Sequence, residues 1–138
     1  MRNKQKPVLL VEDDSVDVMT LKRAFKEAGI TNRLDVVSNG EEALAHLKKD
    51  HDKLPCLILL DINMPKMNGV EFLEAVKKDP RTSPIPVVML TTSKGEDEKR
   101  KCFQLGAAGY MIKSVEFDDF TKLVTTIHQY WTASESPF

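Results

Sequence analysis

Acidic side chains follow two apolar stretches of the sequence, an arrangement that could bind a metal ion or attack a phosphorus atom. Glu12 and Asp13 come after Val8–Val11, and Asp61 comes after the uninterrupted run Leu57–Leu60. Such a run is typical of a strand covered on both faces, in a parallel sheet between layers of helices. Ligands of open α/β sheets usually bind at the carboxyl edge, where Asp61 would then lie. The alternative is that Asp61 is only a turn or cap acid.

The elements that must position these acids alternate five times between an apolar strand and an amphipathic helix. The strand segments read PVLLVE, RLDVVS, CLILLD, PVVMLTT and GYMIK. Five β/α units joined by right-handed crossovers make a doubly wound parallel sheet. We expect a flavodoxin-like α/β fold, with strand order 2-1-3-4-5 and helices on both faces of the sheet.

In this strand order the first and third strands are neighbours, so the acids at their carboxyl ends meet. Carboxylates this close repel one another, and either a proton or a cation must compensate them. Mg²⁺ is the natural candidate, because it binds one or two carboxylates together with water and phosphate oxygens; Mn²⁺ is the alternative. Lys113 ends the fifth strand and Thr91 ends the fourth at the same edge.

Acids, a lysine and a hydroxyl at one sheet edge indicate a phosphoryl site, where catalysis is mostly positioning and charge neutralisation. The sequence contains no G-x-x-x-x-G-K-[ST] motif, which excludes a P-loop nucleotide site. A carboxylate nucleophile that forms an aspartyl phosphate fits the residues better.

Length and composition indicate one domain with its own core. The chain has 138 residues, with 20 basic against 21 acidic side chains, which argues against a surface made for nucleic acid. No apolar run is long enough for a signal peptide or a membrane span. Cys56 and Cys102 lack metal-site spacing and indicate buried, reduced thiols in a cytoplasmic protein. We expect a flexible segment 1–6, a domain 7–132 and a tail 133–138.

Four motifs together resemble the receiver domain of two-component response regulators. LLVEDD, LLDINMPKMNG, PVVMLTT and GAAGYMIK occur in the order and at the spacing of that family. The resemblance implies that Asp61 is the phospho-acceptor. It implies Mg²⁺ bound by Asp13, Asp61 and the backbone carbonyl of Asn63, with Glu12 acting directly or through water.

The same resemblance assigns roles to the remaining site residues. Lys113 would pair with the phosphoryl oxygens or, before phosphorylation, with Asp61. Thr91 would bond to the phosphoryl group, and Tyr110 would turn inward as the switch aromatic. Asp14 stands one place past the acid pair of the family and is expected to be a helix N-cap.

One position departs from the family pattern. Most receivers follow the site lysine with a proline joined by a cis peptide bond, and here Ser114 takes that place. A cis bond to a non-proline residue costs roughly 3 kcal/mol, so either the bond is trans or its surroundings hold the strain. The Lys-Ser pair, the stretch KDPRTSPIPVVMLTTS and the ending IHQYW resemble the regulators paired with cyanobacterial and bacterial phytochrome kinases.

The resulting hypothesis is a single-domain response regulator, a signalling protein that phosphorylates and dephosphorylates only itself. It would accept a phosphoryl group from a sensor histidine kinase and signal by binding an output protein, since no effector segment follows the last helix. One alternative is a phosphorelay shuttle to a second histidine. Another is a haloacid-dehalogenase-like phosphatase, which needs a second aspartate where Asn63 stands. A pseudo-receiver that only binds a partner is disfavoured by the full set of site residues.

The last helix suggests how the chain assembles. Its apolar residues recur at helical spacing and can cover the sheet: Phe117, Phe120, Leu123, Val124, Ile127 and Trp131. Tyr130 and Phe138 fall beside or beyond that stripe. Exposed aromatic residues anchor interfaces, and two-fold pairing is the commonest arrangement of identical chains. We expect a homodimer through this helix and its aromatic end; the alternative is a monomer whose tail folds back.

Overall fold

The computed structural model describes residues 6–49, 54–62, 64, 67–92, 95–113 and 117–133, with the side chains of 121–130 in the last range. Strands and helices alternate along the chain, as the sequence predicts. The elements are β1 (Val8–Val11), α1 (Ser15–Glu27), β2 (Leu34–Val37), α2 (Gly40–Lys49), β3 (Leu57–Leu60), α3 (Gly69–Lys78), β4 (Val87–Thr91), α4 (Glu96–Gln104), β5 (Gly109–Ile112) and α5 (Phe117–Ala133).

The five strands form one parallel sheet in the order β2-β1-β3-β4-β5, which confirms the predicted topology. Val11 of β1 is level with Leu60 of β3, so Glu12 and Asp61 leave the sheet side by side. The Asp61 amide donates to the Val11 carbonyl at 3.1 Å and extends this pairing by one residue. The register alone therefore brings the two acidic segments together.

A separate apolar core lies on each face of the sheet. Leu9 and Leu60 belong to the core that contains buried residues of α2 and α3, whereas Leu10 and Leu59 belong to the core that contains those of α1 and α5. Successive side chains of a strand point to opposite faces, so an unbroken apolar run serves both cores at once. The all-apolar strands of the sequence reflect this two-sided burial.

Two helix starts are fixed by side-chain caps. The Asp14 carboxylate accepts from the amides of Val16, at 2.8 Å, and Asp17, at 3.2 Å, and so confirms the predicted N-cap of α1. Asn68 and Glu71 form a reciprocal capping box at the start of α3. Both helices begin next to the carboxyl edge of the sheet, so the caps fix the first turns of the helices that follow the acids.

The described part of α5 packs on the core that it shares with α1. Leu123, Val124 and Ile127 contact this core, while Tyr130 keeps 76% of its surface exposed. The side chains of Phe117, Phe120, Trp131 and Phe138 lie outside the described residues, so the predicted stripe is followed only in part. In the described chain, no helix combines the length and the apolar character needed to cross a membrane.

Both cysteines, Cys56 and Cys102, are buried free thiols, as expected. Cys102 is the buried side chain of α4, whose other residues are mostly charged or polar. Of the predicted segments 1–6 and 133–138, residues 1–5 and 134–138 lie outside the described residues, and the domain boundaries remain a prediction.

Candidate phosphoryl and metal site

Three carboxylates meet at the carboxyl edge of the sheet. Glu12, Asp13 and Asp61 each offer a carboxylate oxygen, and these oxygens lie within 4.8 Å of one another. Glu12 and Asp61 are buried, whereas Asp13 is exposed. A hard divalent cation that keeps part of its water shell fits such a set, because it needs few carboxylates and an open side. The predicted carbonyl ligand, on Asn63, lies outside the described residues.

Gly69 lies directly against the backbone of Asp61 and Ile62. Its amide donates to the Ile62 carbonyl at 3.0 Å. A Cβ atom on Gly69 would lie 2.3 Å from the carbonyl oxygen of Asp61, closer than any real contact allows. The position therefore requires glycine, and it couples the start of α3 to the backbone of the proposed phospho-acceptor.

Lys113 is surrounded by carboxylates. Its Nζ atom forms an ion pair with Glu12 and lies 2.8 Å from Asp17 Oδ2 and 3.8 Å from Asp61 Oδ1. The Lys113 side chain is 11% exposed. The expected pairing with Asp61 before phosphorylation is thus within reach, but two other carboxylates hold the ammonium group more closely.

Burial and charge shift the pKa values of this pair. Burial raises the pKa of Glu12 to about 7, against the opposing effect of the Lys113 hydrogen bond and charge. Burial lowers the pKa of Lys113, but hydrogen bonds to Asp17 and Glu12 and the charges of Glu12 and Asp61 outweigh it, so that its pKa is raised overall. Lys113 is therefore cationic at neutral pH and offsets part of the negative charge.

Asp17 is a site residue that sequence reasoning did not identify. It lies in the first turn of α1, where an acid is ordinarily explained by the helix dipole. Its contact with Lys113 depends on how α1 sits beside the end of β5. The available signal was an acid in the first turn of the helix that follows a strand ending in acidic residues.

Thr91 and Tyr110 occupy the two strands between Asp61 and the α4–α5 side of the molecule. Thr91 is fully buried at the end of β4, and its carbonyl accepts from the Lys113 amide at 2.8 Å. Tyr110, on β5, is half-buried and packs against the core on the side of α3. The proposed roles of both residues remain predictions.

The Lys113–Ser114 peptide bond lies outside the described residues.

Comparison with protein families decides the class of this site. The model of the response regulator receiver domain matches residues 8–125. The chain belongs to the response regulator receiver family. Receiver domains are signalling proteins that bind a divalent metal ion, and response regulators work with sensor histidine kinases such as phytochromes. The phosphatase and shuttle alternatives are not favoured by these comparisons.

Two curated relatives are similar to this receiver over nearly their whole length. Response regulator Rcp1 of Synechocystis is 36% identical over 133 residues, which cover 94% of this chain and 90% of Rcp1. The probable methanogenesis regulatory protein FilR2 of Methanothrix harundinacea is 37% identical over 127 residues, covering 90% of this chain and 82% of FilR2.

Solved structures agree with the fold and with the predicted subgroup. The phosphorylated cyanobacterial phytochrome response regulator RcpA matches with a TM-score of 0.88 and 32% identity, covering 97% of this chain and 99% of RcpA. The Mn²⁺-bound form of Rcp1 matches with a TM-score of 0.86 and 35% identity, covering 96% of this chain and 99% of the Rcp1 chain. This receiver is therefore homologous to phytochrome-associated response regulators.

Proposed function

We propose that this receiver accepts a phosphoryl group on Asp61 from the phosphohistidine of a sensor kinase. The observation that carries the proposal is the position of Asp61. It ends the central strand β3, within 4.8 Å of the Glu12 and Asp13 oxygens and 3.8 Å from Lys113 Nζ. A nucleophilic carboxylate needs such cationic and metal-binding neighbours, because charge develops on the transferring group.

The transfer exchanges one phosphorus bond for another. A carboxylate oxygen of Asp61 forms a bond to phosphorus as the phosphorus–nitrogen bond to the donor imidazole breaks, and the imidazole nitrogen keeps the electron pair. Lys113 donates hydrogen bonds to the phosphoryl oxygens, and the Thr91 hydroxyl donates another. Tyr110 then follows Thr91 and changes the surface of β5 and the neighbouring helices.

Glu12, Asp13 and Asp61, together with the Asn63 carbonyl, would hold Mg²⁺, with Mn²⁺ as a substitute. The ion would supply charge neutralisation at a phosphoryl oxygen. The residues fit it, because their carboxylate oxygens converge and the exposed Asp13 leaves one side open. Beyond the self-phosphorylation and self-dephosphorylation of Asp61, we propose no enzyme activity for this receiver.

The kinase partner is proposed to be a phytochrome-like histidine kinase in the cytoplasm. The homology to Rcp1 and RcpA supports this pairing, and free buried thiols fit a reducing compartment. A labelled, autophosphorylated phytochrome kinase should pass its phosphoryl group to the wild type but not to Asp61→Asn. Transfer to the variant at the wild-type rate would refute the assignment.

We further propose a homodimer through α5 and its aromatic end near β5. Tyr130 is exposed beside an apolar groove lined by Val88, Met111 and Ile127, and an exposed tyrosine over such a groove is a good interface anchor. Sedimentation equilibrium should give the mass of two chains, reduced toward one chain by Tyr130→Ala. A monomeric wild type would exclude this assembly.

A further inference from the structure

We propose that Asp17 is a positioning residue that binds Lys113 while Asp61 is unphosphorylated. When Asp61 carries a phosphoryl group, Asp17 releases Lys113 to that group. This inference deepens the proposed function and rests on it. It assigns a purpose to an ion pair between the first turn of α1 and the end of β5.

The geometry makes Asp17 the competitor of Asp61 for one cation. Lys113 Nζ lies 2.8 Å from Asp17 Oδ2 but 3.8 Å from Asp61 Oδ1. The Asp17 backbone is fixed, because its amide donates to the N-cap carboxylate of Asp14 at 3.2 Å. Glu12 also contacts the ammonium group, but it is one of the acids proposed to face the metal ion. Asp17, unlike Glu12 and Asp61, is not among the acids proposed to hold the metal ion or the phosphoryl group.

The Asp17–Lys113 ion pair is reversible because its two side chains differ in exposure. The Asp17 side chain is 41% exposed, whereas those of Lys113 and Asp61 are each 11% exposed. An ion pair open to water is weak, while attraction between buried charges is screened much less. A phosphoryl group on Asp61 adds negative charge on the buried side of Lys113. The ammonium group is then attracted more strongly toward the phosphorylated Asp61 and moves away from Asp17.

Two consequences follow for the unphosphorylated protein. Each phosphorylation must first break the Asp17–Lys113 contact, so Asp17 lowers the affinity of the site for a phosphoryl group. The same step disconnects the start of α1 from the end of β5. Removal of the Asp17 carboxylate should therefore favour the phosphoryl-bound state.

Beryllofluoride, a non-covalent stand-in for the phosphoryl group on aspartate, measures this balance directly. We expect Asp17→Asn to bind beryllofluoride with Mg²⁺ about threefold to fivefold more tightly than the wild type, as the loss of one partly exposed ion pair predicts. Asp17→Ser should behave in the same way and provides a second uncharged variant. Asp17→Glu keeps the charge and should bind as the wild type does.

Asp14→Asn is the matched control, because it removes a charge from the same helix start while asparagine still caps the helix. It should leave the beryllofluoride affinity within twofold of the wild type. Equal gains in Asp14→Asn and Asp17→Asn would overturn the proposal in favour of a general charge effect. Unchanged or weaker binding by Asp17→Asn and Asp17→Ser would overturn it as well.

Thermal unfolding and acetyl phosphate labelling separate the remaining interpretations. A purely structural Asp17 would lower the melting temperature of Asp17→Asn without tightening beryllofluoride binding, which contradicts the proposal. Faster labelling of Asp17→Asn at Asp61 supports it. A wild type that fails to be labelled at Asp61 contradicts the proposed function itself, whatever Asp17 does.

Discussion

The ammonium group of Lys113 lies 3.8 Å from the carboxylate of Asp61, although the two residues end strands that have β4 between them. The parallel register places all three strand ends at one edge. Lys113 there faces Glu12 and Asp17 as well, so its ammonium group is shared among three acids. This partial balance leaves the site ready for both a metal ion and a phosphoryl group.

Replacing Lys113 by methionine should destabilise the metal-free protein. The change leaves the buried carboxylates of Glu12 and Asp61 without the Lys113 ammonium group, which costs about 3 to 5 kcal/mol of unfolding free energy. Urea unfolding in the presence of EDTA measures the loss. Lys99→Met is the control, because its ion pair with Glu96 lies on the exposed surface of α4. Equal stability of both variants would be inconsistent with the account.

Mg²⁺ should stabilise the folded protein through the acid cluster. A ligand at a hundred times its dissociation constant adds about 2.7 kcal/mol, which appears as a higher melting temperature. Asp13→Ala should lose most of this gain and label more slowly with acetyl phosphate. Asp14→Asn keeps the helix cap and should retain the gain. Labelling that proceeds unchanged in EDTA would rule out the metal requirement.

Gly69→Ala should displace the backbone of Asp61. The new Cβ would stand 2.3 Å from the Asp61 carbonyl oxygen, and such overpacking costs about 1 to 3 kcal/mol. The shift should also slow the labelling of Asp61. Gly109→Ala is the matched change, since its Cβ would meet Val88 at an ordinary 3.5 Å. A wild-type labelling rate in Gly69→Ala would show that the loop adapts freely.

The thiol of Cys56 should be unreactive in the folded protein. Burial raises its pKa to about 11, so at pH 8 only about one thiol in a thousand is the reactive thiolate. Iodoacetamide should leave Cys56 unmodified at pH 8 in buffer and modify it fully in urea. The modified fraction in buffer should rise as the pH approaches 11. Rapid labelling of native Cys56 at pH 8 would contradict its burial.

The sequence predicts the sheet and its acid cluster because both depend on local patterns. The run Leu57–Leu60 predicts a strand buried on both faces. The alternation of strands and helices, with right-handed crossovers, allows few sheet topologies. The meeting of Asp13 and Asp61 then follows from strand order. Asp14 can be predicted as a helix N-cap, because capping depends only on the residues next to it in the sequence.

The two closest partners of Lys113, Glu12 and Asp17, could not be predicted, because several acids of the same charge compete for it over small differences in distance. Which carboxylate lies nearest depends on the placement of α1 against β5, and no pattern within either segment encodes that placement. Asp17 was missed for this reason. The exposure of Tyr130, in contrast, follows from its position beside the apolar stripe of α5.

Intact-mass measurement after incubation with acetyl phosphate and Mg²⁺ tests the central claim most directly. The wild type should gain the mass of one phosphoryl group, and hydroxylamine, which cleaves acyl phosphates, should remove it. Asp61→Asn should stay folded and gain nothing. Labelling of Asp61→Asn on a carboxylate at the wild-type rate, or a wild type that gains no mass, would contradict the assignment of Asp61 as the phospho-acceptor.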